Sequence, residues 1–291
     1  MDSPVRCVQA ANAILGEGPV WCPREGVLYW LDIKRPAVYR FDPGRGQTGC
    51  WPMPSDIGCM ALREAGGMVV ALRSGFALLD FDTGELTPLA DPEADRPDNR
   101  FNDGKVDRRG RFWAGTLNDA ESDPLGSLYR LDADGSVPLM QEGAVVSNGI
   151  GWSPDDRTMY FTDSAIRTIW AYDFDAVSGA IANRRVFAEV PEGTGYPDGL
   201  TVDADGHVWS AVWDGWRVVR YDPSGRIDRE VAMPVQRPTS CMLGGDDLKT
   251  LFVTSASIHL DAVALSKGPL AGGLFALDVD TAGLPESRFA G

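Results

Sequence analysis

Residues Gly195–Gly225 read GYPDGLTVDADGHVWSAVWDGWRVVRYDPSG, and the rest of the chain is built from copies of this stretch. Asp198 stands in a tight Pro-Asp-Gly turn. Three short apolar runs follow, Leu200–Asp203, Val208–Val212 and Arg217–Asp222, with Asp-Gly turns between them. Runs of this length and alternation, cut by Asp-Gly, predict strands joined as hairpins.

The second run recurs as an apolar or aromatic pair at Leu28-Tyr29, Val69-Val70, Phe112-Trp113, Met159-Tyr160, Val208-Trp209 and Leu251-Phe252. Counted from the second member of each pair, the steps are 41, 43, 47, 49 and 43 residues. The third run ends each time in an apolar residue and Asp, at Asp42, Asp82, Asp132, Asp173, Asp222 and Asp278, with Gly soon after. Six copies of about 45 residues, each with period-two alternation, predict an all-β, six-bladed β-propeller of four-stranded antiparallel blades. Weaker fourth strands are expected at 49–53, 86–89, 137–141, 185–188 and 227–233. The sixth copy runs out of chain, so Val5–Ala10 is expected to supply its outer strand and tie the ring shut, making residues 1–291 one domain.

Composition narrows the function. A net charge of −15 argues against nucleic acid or an anionic membrane as partner. No apolar run reaches the length of a membrane span, and MDSPVRCVQA has no basic-then-apolar export signal. Five cysteines without paired spacing are not a disulfide framework, so a cytoplasmic protein is expected, as a monomer or weak homo-oligomer.

The first strand of a propeller blade lines the central channel, so the residues just ahead of each first strand meet around one mouth. They are Glu17-Gly18, Ile57-Gly58, Asn102-Asp103-Gly104, Asn148-Gly149, Asp198-Gly199 and Ser240-Cys241. Turn chemistry favours Asn-Gly and Asp-Gly. It does not explain Glu17, nor carboxylates crowded together without a cation. Two carboxylates and an amide oxygen suit a hard divalent metal, so Glu17, Asn148 and Asp198 are assigned as ligands of Ca, Mg or Mn, with Fe or Zn as further options. Water or substrate would complete the shell.

Turns between second and third strands open on the same face. Two are long, Asn118–Gly126 and Ser257–Gly272, and are expected to carry specificity, while Trp213 and Trp216 flank a short one and offer a flat face to a sugar ring. A serine-nucleophile hydrolase needs a histidine base, and the chain has only His207, expected on the opposite face, and His259, in the sixth-blade loop.

Six segments in ring-compatible order resemble the family of senescence-marker protein (regucalcin), gluconolactonase and related sugar-acid lactonases. They are LGEGPVW from Leu15, RFNDGKVDRRGRFWAGT from Arg100, SNGIGWSPD from Ser147, PDGLTVDADGHVW from Pro197, PTSCMLGG from Pro238 and the closing FAG from Phe289. The resemblance implies one divalent metal on Glu17, Asn148 and Asp198. It also implies that Arg100 and Asn102 contact substrate oxygens, with Asp103 as a further contact. An acidic residue on the loop LNDAESDPLG joins them, Asp119 or Glu121. That loop is shorter than in vertebrate members, so no elaborate lid is expected.

The implied reaction is hydrolysis of an aldonolactone, gluconolactone, xylonolactone or similar, to the sugar acid. The metal would serve as Lewis acid on the carbonyl, and either the metal or Asp198 as general base would activate water. A non-enzymatic calcium-binding propeller and a metal-dependent phosphotriesterase are the alternatives from other classes.

Overall fold

Short alternating runs punctuated by Asp-Gly and Pro-Gly turns fold here as antiparallel hairpins, and the hairpins assemble into six sheets of four strands each. The structure is a computed structural model describing residues 4–291. Blades one to five begin at the inner strands Gly16–Cys22, Ile57–Leu62, Asn99–Val106, Ser147–Trp152 and Tyr196–Val202, and each runs outward in chain order. Blade six takes Pro238–Gly244, Thr250–Ser255 and Leu274–Asp278 from the C-terminal end and Arg6–Gln9 from the N-terminal end. Arg6 pairs with Ala276 and Cys7 with Phe275, which closes the ring as the sequence predicts.

Inner and middle strands are buried along their length, whereas the outermost ones, such as Leu86–Ala90, face solvent at most positions. The fourth strands are therefore the faintest in the sequence: no second neighbour imposes an apolar pattern on them. Motifs of the form VDxxGxxW have a direct cause. Asp203 accepts the backbone N–H groups of Asp205 and His207 through one oxygen, and through the other the Trp209 indole at 2.9 Å and the Arg220 guanidinium at 2.7 Å. Asp107 repeats this with Arg109, Arg111 and Trp113, so in both blades one buried carboxylate fixes the turn between first and second strands.

The structure corrects where the polar mouth residues sit. The sequence reading puts Glu17, Asn148 and Asp198 in turns ahead of the inner strands; they lie within those strands. In every blade the register between first and second strands slips there, at Glu17/Val20, Ile57/Cys59, Phe101/Gly104, Asn148/Ile150, Pro197/Leu200 and Pro238/Cys241. Such bulges re-aim side chains, and four of the six bulged segments send one, Glu17, Asn102, Asn148 or Asp198, into a common cavity. The glycines after Asn148 and Asp198 serve close approach rather than a turn, whereas Gly18 after Glu17 takes a left-handed φ of 53°. A Cβ on Gly149 would meet the Asp198 carbonyl oxygen at 2.6 Å and Leu200 N at 2.8 Å, and one on Gly199 would run into the Ser240 side chain.

The last thirteen residues form a strap that the sequence reading did not foresee. It crosses the face opposite the mouth, bonding in turn to Lys249, Ala204, Leu62 and Gly110, while the Arg288 guanidinium reaches Cys22 Sγ. Phe289 is buried at its end. The expected sixth-blade loop Ser257–Gly272 contains a short helix, Ala262–Lys267, capped by Asp261.

Because Gly149 leans on the strand that carries Asp198, Gly149→Ala is expected to destabilise the protein by about 1–3 kcal/mol, the usual range for overpacking. Denaturant unfolding measures this, and an unchanged midpoint would show that the inner strands are not in close contact.

Candidate active site and metal centre

At the mouth of the ring lies a cavity of about 440 Å³, and Glu17, Arg100, Asn102, Glu121, Asn148 and Asp198 all line it. Residues spread from blade one to blade five thus share one space. Asp103 does not line it. It lies one residue further down its inner strand, in a pocket of about 30 Å³ with Lys105, Cys241 and Glu286.

The approach to two of the strands is clipped by buried carboxylates that the sequence reading passed over. Asp32, at the end of the second strand of blade one, accepts Ile14 N at 2.9 Å and Leu15 N at 3.1 Å, immediately before Glu17. Asp163 does the same in blade four, accepting Val145 N and Val146 N at 3.0 Å just before Asn148. The sequence signal was available: YWLD and YFTD end their second strands in Asp where the other blades do not.

Asn148 donates its Nδ2 to Ser164 Oγ at 3.0 Å, and Ser164 Oγ donates to the Pro197 carbonyl at 2.6 Å. Asn148 Oδ1 and Asp198 Oδ1 are buried and meet no hydrogen-bond partner among the described residues. Among the described residues Glu17 receives only the neighbouring Gly18 N–H, at 3.0 Å. Burial, followed by repulsion from Asp103, holds the Glu17 carboxyl well above the ordinary range. Asp198 is raised in the same way, by burial first, then Glu17 and Asp103, with Gly199 N–H and the Asn148 side chain pulling the other way. Asp103 is pushed up to about 6 by burial. Orphaned oxygens of this kind, hard donors gathered in one buried space, fit a divalent cation.

Arg100 supplies the positive wall. Its Nη1 donates to Asn102 Oδ1 at 2.8 Å and to the Phe101 carbonyl at 3.1 Å, and Asn102 Nδ2 donates to the Ser147 carbonyl at 2.8 Å. Burial lowers the Arg100 pKa against the opposing pull of Glu121, Asp119 and Asp56. The two acidic options on the third-blade loop separate. Glu121, at φ 52°, lines the cavity, whereas Asp119 is taken up by Arg73 at 2.7 Å and Arg100 at 3.4 Å.

Leu15, Leu117, Val146, Tyr196 and Trp213 make the apolar part of the wall. Trp216 instead packs beside Gly268 of the sixth-blade loop, none of whose residues lines the cavity. That loop is bonded to Ile14, whose carbonyl accepts Ser257 N and Ile258 N, and of the two long loops the third-blade one contributes a residue, Glu121, to the cavity lining. His259 is exposed and away from the cavity, and His207 sits 3.7 Å from Asp203 Oδ1, far along the chain from any cavity residue in its blade's inner strand. All five cysteines are free. Among the described residues no helix is long and apolar enough to cross a membrane.

The family described as SMP-30/Gluconolactonase/LRE-like region matches residues 15–257. The chain is 40% identical to a 6-deoxy-6-sulfogluconolactonase of Pseudomonas putida over the full length of both. It is 39% identical to a pentonolactonase of Haloferax volcanii, covering 94% of each chain. Among solved structures it resembles a protein of Agrobacterium tumefaciens described as a calcium-binding regucalcin, with a TM-score of 0.94 at 30% identity over 99% of this chain and 97% of that one.

The raised carboxyl of Asp198 makes a stability prediction with a definite sign. Above about pH 4, where an unfolded Asp ionises, folding must either take up a proton or bury a charge facing Glu17. With a chelator present, Asp198→Asn is therefore expected to stabilise the protein by on the order of 1–2 kcal/mol at about pH 8, the gain fading as the pH falls to about 4. Thermal unfolding at both pH values reads it, and a variant less stable than the parent at the higher pH contradicts it.

Proposed function

The chain belongs to the SMP-30/gluconolactonase/LRE-like family, and on that premise we propose that it is a metal-dependent sugar lactonase. It opens an aldonolactone such as gluconolactone or xylonolactone to the sugar acid. The observation that supports this best is the pairing, in one cavity, of unpartnered buried oxygens on Asn148 and Asp198 with the buried guanidinium of Arg100.

Glu17, Asn148 and Asp198 would hold the cation, and their oxygen donors favour Ca, Mg or Mn over Fe or Zn. When bound, the cation supplies Lewis-acid polarisation of the lactone carbonyl. Asp198 takes the proton of the attacking water as general base on the carboxylate oxygen not given to the cation. The same proton then goes to the ring oxygen as the acyl C–O bond breaks, leaving a carboxylic acid and a free hydroxyl.

Arg100 is held through Nη1 on Asn102 and the Phe101 carbonyl and through Nε beside Asp119, which leaves its Nη2 group to orient the ring oxygens. Asn102 keeps one amide hydrogen and one lone pair beyond its bonds to Ser147 and Arg100, enough to meet one hydroxyl. Glu121 accepts from another. Tyr196 and Trp213 offer flat faces to the C–H side of the sugar and exclude water. Asp103, beneath the cavity, acts on Glu17 and Asp198 through its charge.

The direct test screens pentono- and hexonolactones against metal-stripped protein, returning one divalent ion at a time, with an aryl phosphotriester as the competing substrate. Lactone hydrolysis is expected to return with an ion of the oxygen-preferring group and to exceed triester hydrolysis. Asp198→Ala is expected to lower both ion retention and turnover, the latter by about 10²–10⁴-fold. Wild-type rates in that variant, or lactone turnover indifferent to stripping, would refute the assignment.

A further inference from the structure

Asparagine is an ambiguous ligand. Only its carbonyl oxygen can bind a cation, and a half-turn about the last side-chain bond would present the amide nitrogens instead. Something must therefore hold Asn148 the right way round, and besides the Asp198 carboxylate, which the same amide reaches, the cavity wall places a hydroxyl to do it. Ser164 Oγ stands 3.0 Å from Asn148 Nδ2, and its own hydrogen is committed to the Pro197 carbonyl at 2.6 Å. With its proton spent, the hydroxyl can only accept from Asn148. A flipped amide would set Oδ1 against an oxygen with no hydrogen to give.

The main chain of Ser164 is pinned as well, its N–H on the Val146 carbonyl and its own carbonyl accepting Arg167 N. Blade geometry does not call for a serine there. The residues that follow the second strands of the six blades are Ile33, Arg73, Asp119, Ser164, Asp214 and Ala256. Only the blade carrying the asparagine has a hydroxyl at this place.

We infer that Ser164 is a positioning residue for the cation site: its hydroxyl, polarised by the Pro197 carbonyl, locks the Asn148 amide with Oδ1 toward the cavity and ties that strand to the one bearing Asp198. The inference rests on the metal-site reading above, and the test separates the two. Calcium and manganese binding are measured by calorimetry for the full-length wild type, Ser164→Ala, Asn148→Asp and the double variant.

Loss of a partner to a ligating side chain typically weakens ion binding by about 10–100-fold, and Ser164→Ala is expected to fall in that range. Both oxygens of an aspartate are acceptors, so in the Asn148→Asp background the same change is expected to cost no more than about two- to threefold. Unchanged binding in Ser164→Ala overturns the inference. So does an equal loss in both backgrounds, which would place the effect in the Pro197 contact alone. A wild type that binds neither ion overturns the metal site itself, whatever the serine does.

Discussion

Two carboxylates face each other at the axis of this ring with too little water around them to carry their charge. Glu17 and Asp198 are 7% and 4% exposed, and each raises the proton affinity of the cavity by burial before any neighbour is considered. Buried charge without a partner is among the costliest arrangements a fold can contain. The bulges of blades one, four and five, the glycines that let inner strands touch, and the clips at Asp32 and Asp163 flank the residues whose oxygens share this cavity. Gathering like charges under so many constraints raises their proton affinity and leaves hard oxygen donors without a partner among the described residues.

The protein's own cations do not relieve the strain. Arg100 attracts Glu17, yet that attraction is the last of the influences on it. Its charge is drawn instead toward the rim, where Asp119, Arg73, Asp56 and Lys34 form an alternating chain at separations of 2.7–3.4 Å. Partly exposed pairs of this kind add little to stability. What they do is set the direction of Arg100, so that a cationic wall and an anionic floor coexist a few residues apart without cancelling. A neutral, hydroxyl-rich ring with a polarisable carbonyl suits that division better than a highly charged ligand.

Much of this was legible in the chain because repetition makes geometry readable. Apolar pairs at near-constant spacing imply the ring, and Val5–Ala10 its closure; equivalence of position then brings Glu17, Asn148 and Asp198 to one mouth. What escaped was whatever does not repeat. The C-terminal strap has no counterpart elsewhere, and Ser164 and Asp32 look like ordinary loop and strand-end residues until their partners are seen. The glycines were misread for a physical reason: Asn-Gly and Asp-Gly signal turns in most chains, whereas here the missing Cβ makes room for a neighbouring strand. Asp103 was grouped with the mouth because it adjoins Asn102, but alternation sends successive residues of a strand to different surroundings, and it falls a level lower.

The most direct test of the account is anomalous diffraction from crystals of the full-length protein grown with manganese. The account predicts one strong peak at the mouth of the ring, within about 2.0–2.6 Å of oxygens from Glu17, Asn148 and Asp198, the span of hard-cation bonds to oxygen. A peak elsewhere, or contact with fewer than all three side chains, would contradict it.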